Sequence, residues 1–130
     1  MIRAAVISLL LAGPAFSQEL RPAPDYYTDA VFAVTMAEAL ATGCATVGVD
    51  IGAVSEQMTR LEAQLSEDGF DTATPFEQML DPSAVFDAMG RAFLAKHPIE
   101  GQGTEAVCNA ASAEIADETL IGSLLLEAPR

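Results

Sequence analysis

Apolar residues along this chain recur at intervals of three and four, the spacing of one face of an α-helix. The clearest run ends near Gly69 and consists of Ile51, Val54, Met58, Leu61 and Leu65. Because this run lasts only about two heptads, it predicts a helix packed into a globular core rather than a coiled coil. An earlier run starts after a predicted N-cap at Thr28 and stops at Gly43. Its inner positions are Phe32, Met36 and Leu40.

Two helix-start signals follow in the middle of the chain. The segment from Thr74 to Glu77 combines an N-cap, a proline at the first helical position and a glutamate three residues after the cap. Asp81-Pro82 interrupts that helix, because proline disfavours the α conformation in the residue before it. Asp81 is then expected to cap a new helix that runs to about Lys96 and is closed by His97-Pro98.

The last part of the sequence predicts one main helix and one short helix. Thr104 starts the main helix, whose inner positions are Cys108, Ala111 and Ile115. The short helix covers Thr119 to Glu127. Beta structure has little support, because alanine is abundant while valine, isoleucine and aromatic residues are not clustered. The whole pattern predicts an all-α fold, a small four-to-five-helix bundle with one disulfide.

The N-terminus has the pattern of a secretory signal peptide. Arg3 gives a positive start, Ala4 to Ala12 is an uncharged apolar run, and small residues precede a cleavage site between Ser17 and Gln18. An apolar run of about ten residues is too short to span a bilayer. We therefore expect a periplasmic or secreted protein with no membrane span in the mature chain. Its predicted parts are a signal peptide over residues 1–17, a proline-rich N-terminal arm over 18–27 and a single helical domain over 28–130.

The charge of the chain narrows the classes of partner. It has 19 acidic and 6 basic side chains, which give a net charge of −13 at pH 7. Such a surface repels phosphate backbones and anionic lipid headgroups, and the sequence has no cluster of lysine or arginine to oppose that repulsion. Nucleic acids and membrane surfaces are therefore disfavoured. A basic protein or a metal ion stays open as a partner, and solubility alone is a sufficient reason for the charge.

Cys44 and Cys108 are the two cysteines of the chain. In an exported protein, two cysteines allow one intramolecular pairing, which predicts a disulfide between them. A catalytic thiolate is disfavoured, because His97 is the single histidine and the surroundings are acidic. Zinc binding lacks the paired-ligand spacing, and a lipid-anchor cysteine would have to follow the signal segment directly.

Two acidic groups are candidates for a functional site. Glu67, Asp68 and Asp71 surround Gly69, but the EF-hand register puts glutamine and proline where carboxylates are required. Whether these three acids bind calcium stays open. The second group is interpreted as a polar face and a helix end; it consists of Glu114, Asp117 and Glu118. The sequence has no phosphate-cradling glycine loop and no nucleophile elbow, so we predict no catalytic residue, no cofactor and no metal site.

The order of these features resembles a family of small secreted alphaproteobacterial proteins that is classed as a domain of unknown function. The resemblance rests on the signal peptide, on the distant pair Cys44 and Cys108, and on the tail AEIADETLIGSLLLE at residues 113–127. That tail ends in Ile121-Gly122-x-Leu124-Leu125. The resemblance covers nearly the full chain and includes no catalytic signature. It implies a location in the cell envelope and supplies no active residues.

Three functions are compatible with this sequence. The first, which we favour, is a periplasmic non-enzymatic binding or accessory protein that meets a basic periplasmic partner. Tyr26 and Tyr27 are its candidate contacts, and local packing is the alternative role for both. The second is an acid-responsive, holdase-like periplasmic chaperone, in which protonated carboxylates release apolar surface. The third is a small enzyme or ligand carrier with an unrecognised site inside the bundle.

Overall fold

The computed structural model describes residues 19–128 and has the form of a helical bundle with one small sheet. Its elements in chain order are α1 (Asp25–Gly43), β1 (Val47–Val49), α2 (Ile51–Glu67), a 3₁₀ turn (Pro75–Gln78), α3 (Ser83–Lys96), α4 (Thr104–Ala116), α5 (Leu120–Ser123) and β2 (Leu125–Glu127). The five α-helices confirm the predicted all-α class. The predicted signal peptide, with its cleavage between Ser17 and Gln18, lies outside the described residues.

The boundaries of α2 and α3 follow from local hydrogen bonds. α2 begins at Ile51 because the Asp50 side chain accepts a hydrogen bond from the backbone N–H of Ala53 at 3.0 Å. α3 begins beside Asp81, whose carboxylate accepts the backbone N–H of Ser83 at 2.9 Å. Both starts agree with the sequence pattern, which predicts these two helices closely.

The start of α1 differs from the prediction. The helix begins at Asp25, before the predicted N-cap at Thr28. Pro24 supplies the first acceptor, because its carbonyl accepts the backbone N–H groups of Tyr27 and Thr28 at 3.0 and 3.1 Å. The Thr28 hydroxyl donates to the Asp25 carbonyl instead of capping the helix. The last residues of the predicted arm over 18–27 are therefore helical.

The C-terminal segment contains the clearest error of prediction. The predicted helix from Thr119 to Glu127 is wrong beyond Ser123, where α5 ends. β2 then pairs antiparallel with β1, with Val49 opposite Leu125. Strands of three residues are too short to show the alternation by which a strand is recognised in a sequence. The expectation of little β structure therefore misses this two-stranded sheet.

Two groups of buried side chains form the core, and α1 contributes to both. The main core consists of Ala33, Ala37, Leu40, Cys44, Val47, Phe93, Ala110, Ala111, Ile121, Leu124 and Leu125. The second core consists of Ala30, Leu61, Leu65, Phe70 and Met79. α1 meets its neighbours mostly through alanine, and small side chains at a contact let two helix axes approach closely. α1 is therefore the central helix of the bundle.

Cys44 and Cys108 form the predicted disulfide, with their Cα atoms 5.1 Å apart. The bond joins the end of α1 to α4. Gly43 lies so close to α4 that a β-carbon at this position would be 2.8 Å from the Val107 side chain. The disulfide therefore cross-links the main core at a point where the two helices already touch.

Candidate functional site

Glu114 is the centre of a buried polar cluster between α3, α4 and α5. Its side chain is 3% exposed. Lys96 Nζ lies 2.8 Å from Glu114 Oε1, and His97 Nε2 lies 2.6 Å from the same oxygen. The Thr119 hydroxyl donates to the other carboxylate oxygen, Oε2. In residues 19–128, every fully buried side-chain nitrogen or oxygen has a hydrogen-bond partner, so this cluster is complete.

The pKa of Glu114 lies below its usual value. Burial by itself would raise this pKa, but hydrogen bonds from Lys96, Thr119 and His97, together with the Lys96 charge, outweigh that effect. The hydrogen bond to Glu114 raises the pKa of Lys96, and the charges of Glu114 and Asp117 add to this effect. Glu114 is therefore an ionised carboxylate at neutral pH, held by three donors.

The turn between α4 and α5 positions Thr119 beside Glu114. Thr119 caps α5, because its hydroxyl oxygen accepts the backbone N–H of Gly122 at 3.0 Å. Gly122 lies directly against the end of α4, and a β-carbon there would overlap the Glu114 carbonyl group. Glu118 has a φ of 52° and ends α4 in the left-handed conformation that is usual at this position. Only glycine at position 122 allows α5 to pack this closely.

The interpretation of Glu114 as part of an exposed polar face is wrong. The buried positions of α4 are Ala110, Ala111 and Glu114, whereas Cys108 and Ile115 are half-buried. The buried face of the helix is therefore rotated from the predicted one. A weak signal exists in the sequence, because Glu114 follows the two buried alanines at helical spacing. Its burial depends on donors from another helix, which a periodic pattern does not reveal.

The side chains of this cluster bond to one another across three helices. A hydroxyl nucleophile needs its base within hydrogen-bond reach. The Thr119 hydroxyl and His97 bond to opposite oxygens of Glu114, so the carboxylate lies between them and they do not bond to each other. A cavity of about 240 Å³ adjoins the backbone turn at His97 and is also lined by Asn109. The cluster itself ties α3 and α5 to the end of α4.

An apolar groove lies between α1, α2 and the loop before the 3₁₀ turn. It has a volume of about 280 Å³ and is lined by Tyr27, Val31, Met58, Leu61, Glu62, Leu65, Thr72 and Pro75. Leu61 and Leu65 are buried, whereas Met58 is 44% exposed and Ile51, at the start of α2, is 73% exposed. The prediction that Ile51 and Met58 belong to the core is therefore wrong. The second core covers only part of the apolar stripe of α2, and the rest faces outward.

Tyr26 and Tyr27 are both half-buried and pack against the second core. The Tyr26 hydroxyl donates to Asp68 Oδ2 at 2.7 Å. Burial, this hydrogen bond and the Asp68 charge together raise the pKa of Tyr26 to about 12. Burial also raises the pKa of Tyr27, which lines the groove. Tyr26 thus has the packing role, and Tyr27 is the member of the pair that faces the groove.

The acidic residues of the loop after α2 do not come together. The Asp68 carbonyl accepts a hydrogen bond from the Arg21 guanidinium at 2.9 Å. The Asp71 carboxylate accepts the backbone N–H of Ala73, also at 2.9 Å. Over the part of the chain that the structure describes, no group of three or more histidine, cysteine, aspartate or glutamate residues is placed to hold a metal ion. The acidic group of Glu67, Asp68 and Asp71 is therefore not arranged as a metal site.

The chain matches the model of a family of unknown function, DUF5333, over residues 20–126. It therefore belongs to that family, and the resemblance to a domain of unknown function is confirmed. No curated protein and no solved structure matches the chain. Among residues 19–128, no helix is both long and apolar enough to cross a membrane.

Proposed function

We propose that this protein is a non-enzymatic binding or accessory domain of the cell envelope, and that it holds a basic protein partner in the apolar groove. The observation that carries the proposal is the groove itself. Met58 lies at its mouth with 44% of its surface exposed, and the buried leucines Leu61 and Leu65 form its base. Full burial of an exposed side chain of this size contributes about 1.5–3 kcal/mol, and Met58 is already more than half buried, so a partner that covers it gains about 1 kcal/mol.

Electrostatics supports a basic partner. The chain carries a net charge of −13, and Glu62 lines the groove. The nearest cation on α2, Arg60, is turned toward Glu56 and bonds to Gln57, so it does not line the groove. Complementary charge of this kind raises the rate of association and selects against acidic partners.

A location in the envelope is supported by two features. The disulfide between Cys44 and Cys108 is typical of proteins that mature in an oxidising compartment. The first 17 residues have the pattern of a signal peptide for export. We therefore propose that the mature protein is periplasmic or secreted and works there by binding.

Site-specific photo-crosslinking tests this function. A photoreactive amino acid replaces Met58, and a matched variant carries it at Gln64, an exposed position on another face of α2. Both variants are illuminated in an extract of the organism's cell envelope at about 50 mM and about 500 mM salt. We expect a discrete adduct with a basic protein from position 58, weaker at high salt, and none from position 64. Equal labelling from both positions, or no adduct at either salt, would contradict the proposal.

The buried carboxylate favours a second candidate function, an acid-responsive holdase. Glu114 ties three helices together most tightly while it is ionised, because protonation removes the charge opposite Lys96 and puts a hydrogen on a carboxyl group that accepts from three donors. Protonating Glu114 would loosen the end of α4 and expose apolar surface. Light scattering of an aggregating client protein at pH 7 and at about pH 3, well below the usual carboxyl pKa, tests this idea. Protection that appears only at the lower pH is expected, and equal aggregation with and without the protein at both values would exclude it.

A further inference from the structure

We propose that the partner's binding element is an amphipathic α-helix with a basic polar face, and that it lies along the seam between α1 and α2. This inference rests on the proposed binding function and names what the groove accepts. Helix-in-groove recognition requires a continuous apolar track with specific polar edges. The surfaces of α1 and α2 provide both.

The two helices run antiparallel, so their outward faces form one long seam. Leu61 and Leu65 at the end of α2 pack with Ala30 near the start of α1. Val54 near the start of α2 packs instead on the main core, to which Leu40 near the end of α1 belongs. Each half of α2 therefore faces the opposite half of α1 along a seam that has the groove at one end.

The apolar track of the seam is longer than the groove. Ile51 and Met58 are seven residues apart on α2, which puts them on the same helix face, and both are exposed. Leu65, a further seven residues along, forms the base of the groove at the other end. At 1.5 Å per residue, the distance from Ile51 to Leu65 is about 21 Å, the length of a helix of about 14 residues.

Acidic side chains lie along this track. Glu62 lines the groove on α2. On α1, Glu38 lies seven residues after Val31 and so shares the face of that groove residue; it is exposed. A helix that places lysine or arginine beside its apolar face would pair with both glutamates while its apolar residues cover Met58.

The same charges argue against two other occupants. A second copy of this chain brings its own net charge of −13 against Glu38 and Glu62. An anionic lipid surface is repelled in the same way. A basic helix alone among these three gains from both the apolar track and the acidic edges.

A designed peptide of about 14 residues tests the inference. In this peptide leucine recurs every three or four residues and lysine fills the other positions, so that leucine covers one face of the helix. Its matched control has the same composition with leucine and lysine in strict alternation, which removes the apolar face of a helix. Affinity is measured by fluorescence anisotropy with the disulfide-bonded protein and with two variants, Met58→Lys and Gln64→Lys, which change the net charge equally.

We expect Met58→Lys to weaken binding of the amphipathic peptide about tenfold or more, which corresponds to about 1.4 kcal/mol. Gln64→Lys should change affinity less than about twofold, and the control peptide should bind wild type about tenfold more weakly. In an NMR spectrum of the methionine methyl groups, addition of the peptide should shift the Met58 signal and leave the signal of the buried Met79 unchanged.

Equal binding of the two peptides, or equal weakening by the two variants, would overturn the helix-in-groove inference, because either result indicates attraction by charge alone. The envelope crosslinking keeps the two proposals distinguishable. Adducts from position 58 together with failure of the amphipathic peptide would reject the helical partner and leave the binding function standing. The lack of any adduct would reject the binding function itself.

Discussion

Replacing Glu114 by glutamine tests the role of the buried cluster most directly. Glu114→Gln keeps the shape of the side chain and removes its charge. His97 retains an acceptor in the amide oxygen, but the amide nitrogen then faces the Thr119 hydroxyl, which already accepts the N–H of Gly122. The substitution therefore removes an ion pair and replaces the bond from the Thr119 hydroxyl to a charged oxygen with a weaker neutral one, for which the hydroxyl must turn toward the Glu114 carbonyl.

The expected cost is worked from these contacts. A hydrogen bond to a buried charged group contributes about 1.5–3 kcal/mol to stability. The pair with Lys96 contributes less, because the lysine side chain is 45% exposed and solvent screens it. We expect Glu114→Gln to lower the free energy of unfolding by about 2–3 kcal/mol at pH 7, as measured by urea denaturation followed by circular dichroism.

The pH dependence gives the same reasoning a second test. The folded-state pKa of Glu114 lies below its usual value of about 4.5, so its stabilising contribution is fully present above that value. The contribution is lost as the pH falls through the folded-state pKa. The difference between wild type and Glu114→Gln should therefore be constant from about pH 5 to 7 and should shrink toward zero at lower pH.

Asp117→Asn provides the matched control, because Asp117 also pairs with Lys96 but its side chain is 61% exposed and the atoms are 3.7 Å apart. We expect it to cost less than about 0.5 kcal/mol. The reasoning is refuted if Glu114→Gln leaves the free energy of unfolding unchanged at pH 7. It is also refuted if the two substitutions lower the free energy of unfolding equally, because burial would then not strengthen the Glu114 cluster.

Three further outcomes follow from the structure. Gly122→Ala should lower the free energy of unfolding in urea by about 3 kcal/mol or more, because the added β-carbon overlaps α4. Gly90→Ala is its control and should stabilise α3 by about 0.5–1 kcal/mol, because no atom lies within 4 Å of the added β-carbon. Alkaline titration of tyrosinate absorbance should give a step near pH 12 that Tyr26→Phe removes. The contribution of Tyr26 to stability should be present below pH 10 and should be lost as the pH rises toward 12. A single absorbance step near pH 10 would contradict this expectation. Reduction of the Cys44–Cys108 disulfide should lower the free energy of unfolding by roughly 4 kcal/mol, and a loss below about 1 kcal/mol would show that the cross-link constrains little.

The fold was predictable where the information is local. α2 has a strong apolar period and a capping aspartate, and its observed range, Ile51–Glu67, agrees with the predicted start and end. The start of the last helix was predictable, but its end and the strand after it were not, because β2 is defined by hydrogen bonds to β1 in a distant part of the chain. The tail residues on which the family resemblance rests, Ile121, Gly122, Leu124 and Leu125, are all buried.

The candidate sites show the same division. The apolar period of α2 marks Met58 correctly as part of an apolar face, but a periodic pattern does not say how much of that face the neighbouring helices cover. Glu114 is the opposite case, because a glutamate near a helix end is usually exposed and only its three donors make burial favourable. In both cases the missing information is the position of another element of the fold.

The pairing of β1 with β2 also sets the order in which the domain is completed as the chain is made. α1 and β1 emerge early, but Ile121, Leu124 and Leu125, which cover the main core, come from near the other end. At 5–20 residues per second, β2 follows β1 by roughly 4–16 s. During that interval the main core lacks the side chains that cover it. The main core therefore cannot close until residues 120–127 have been made.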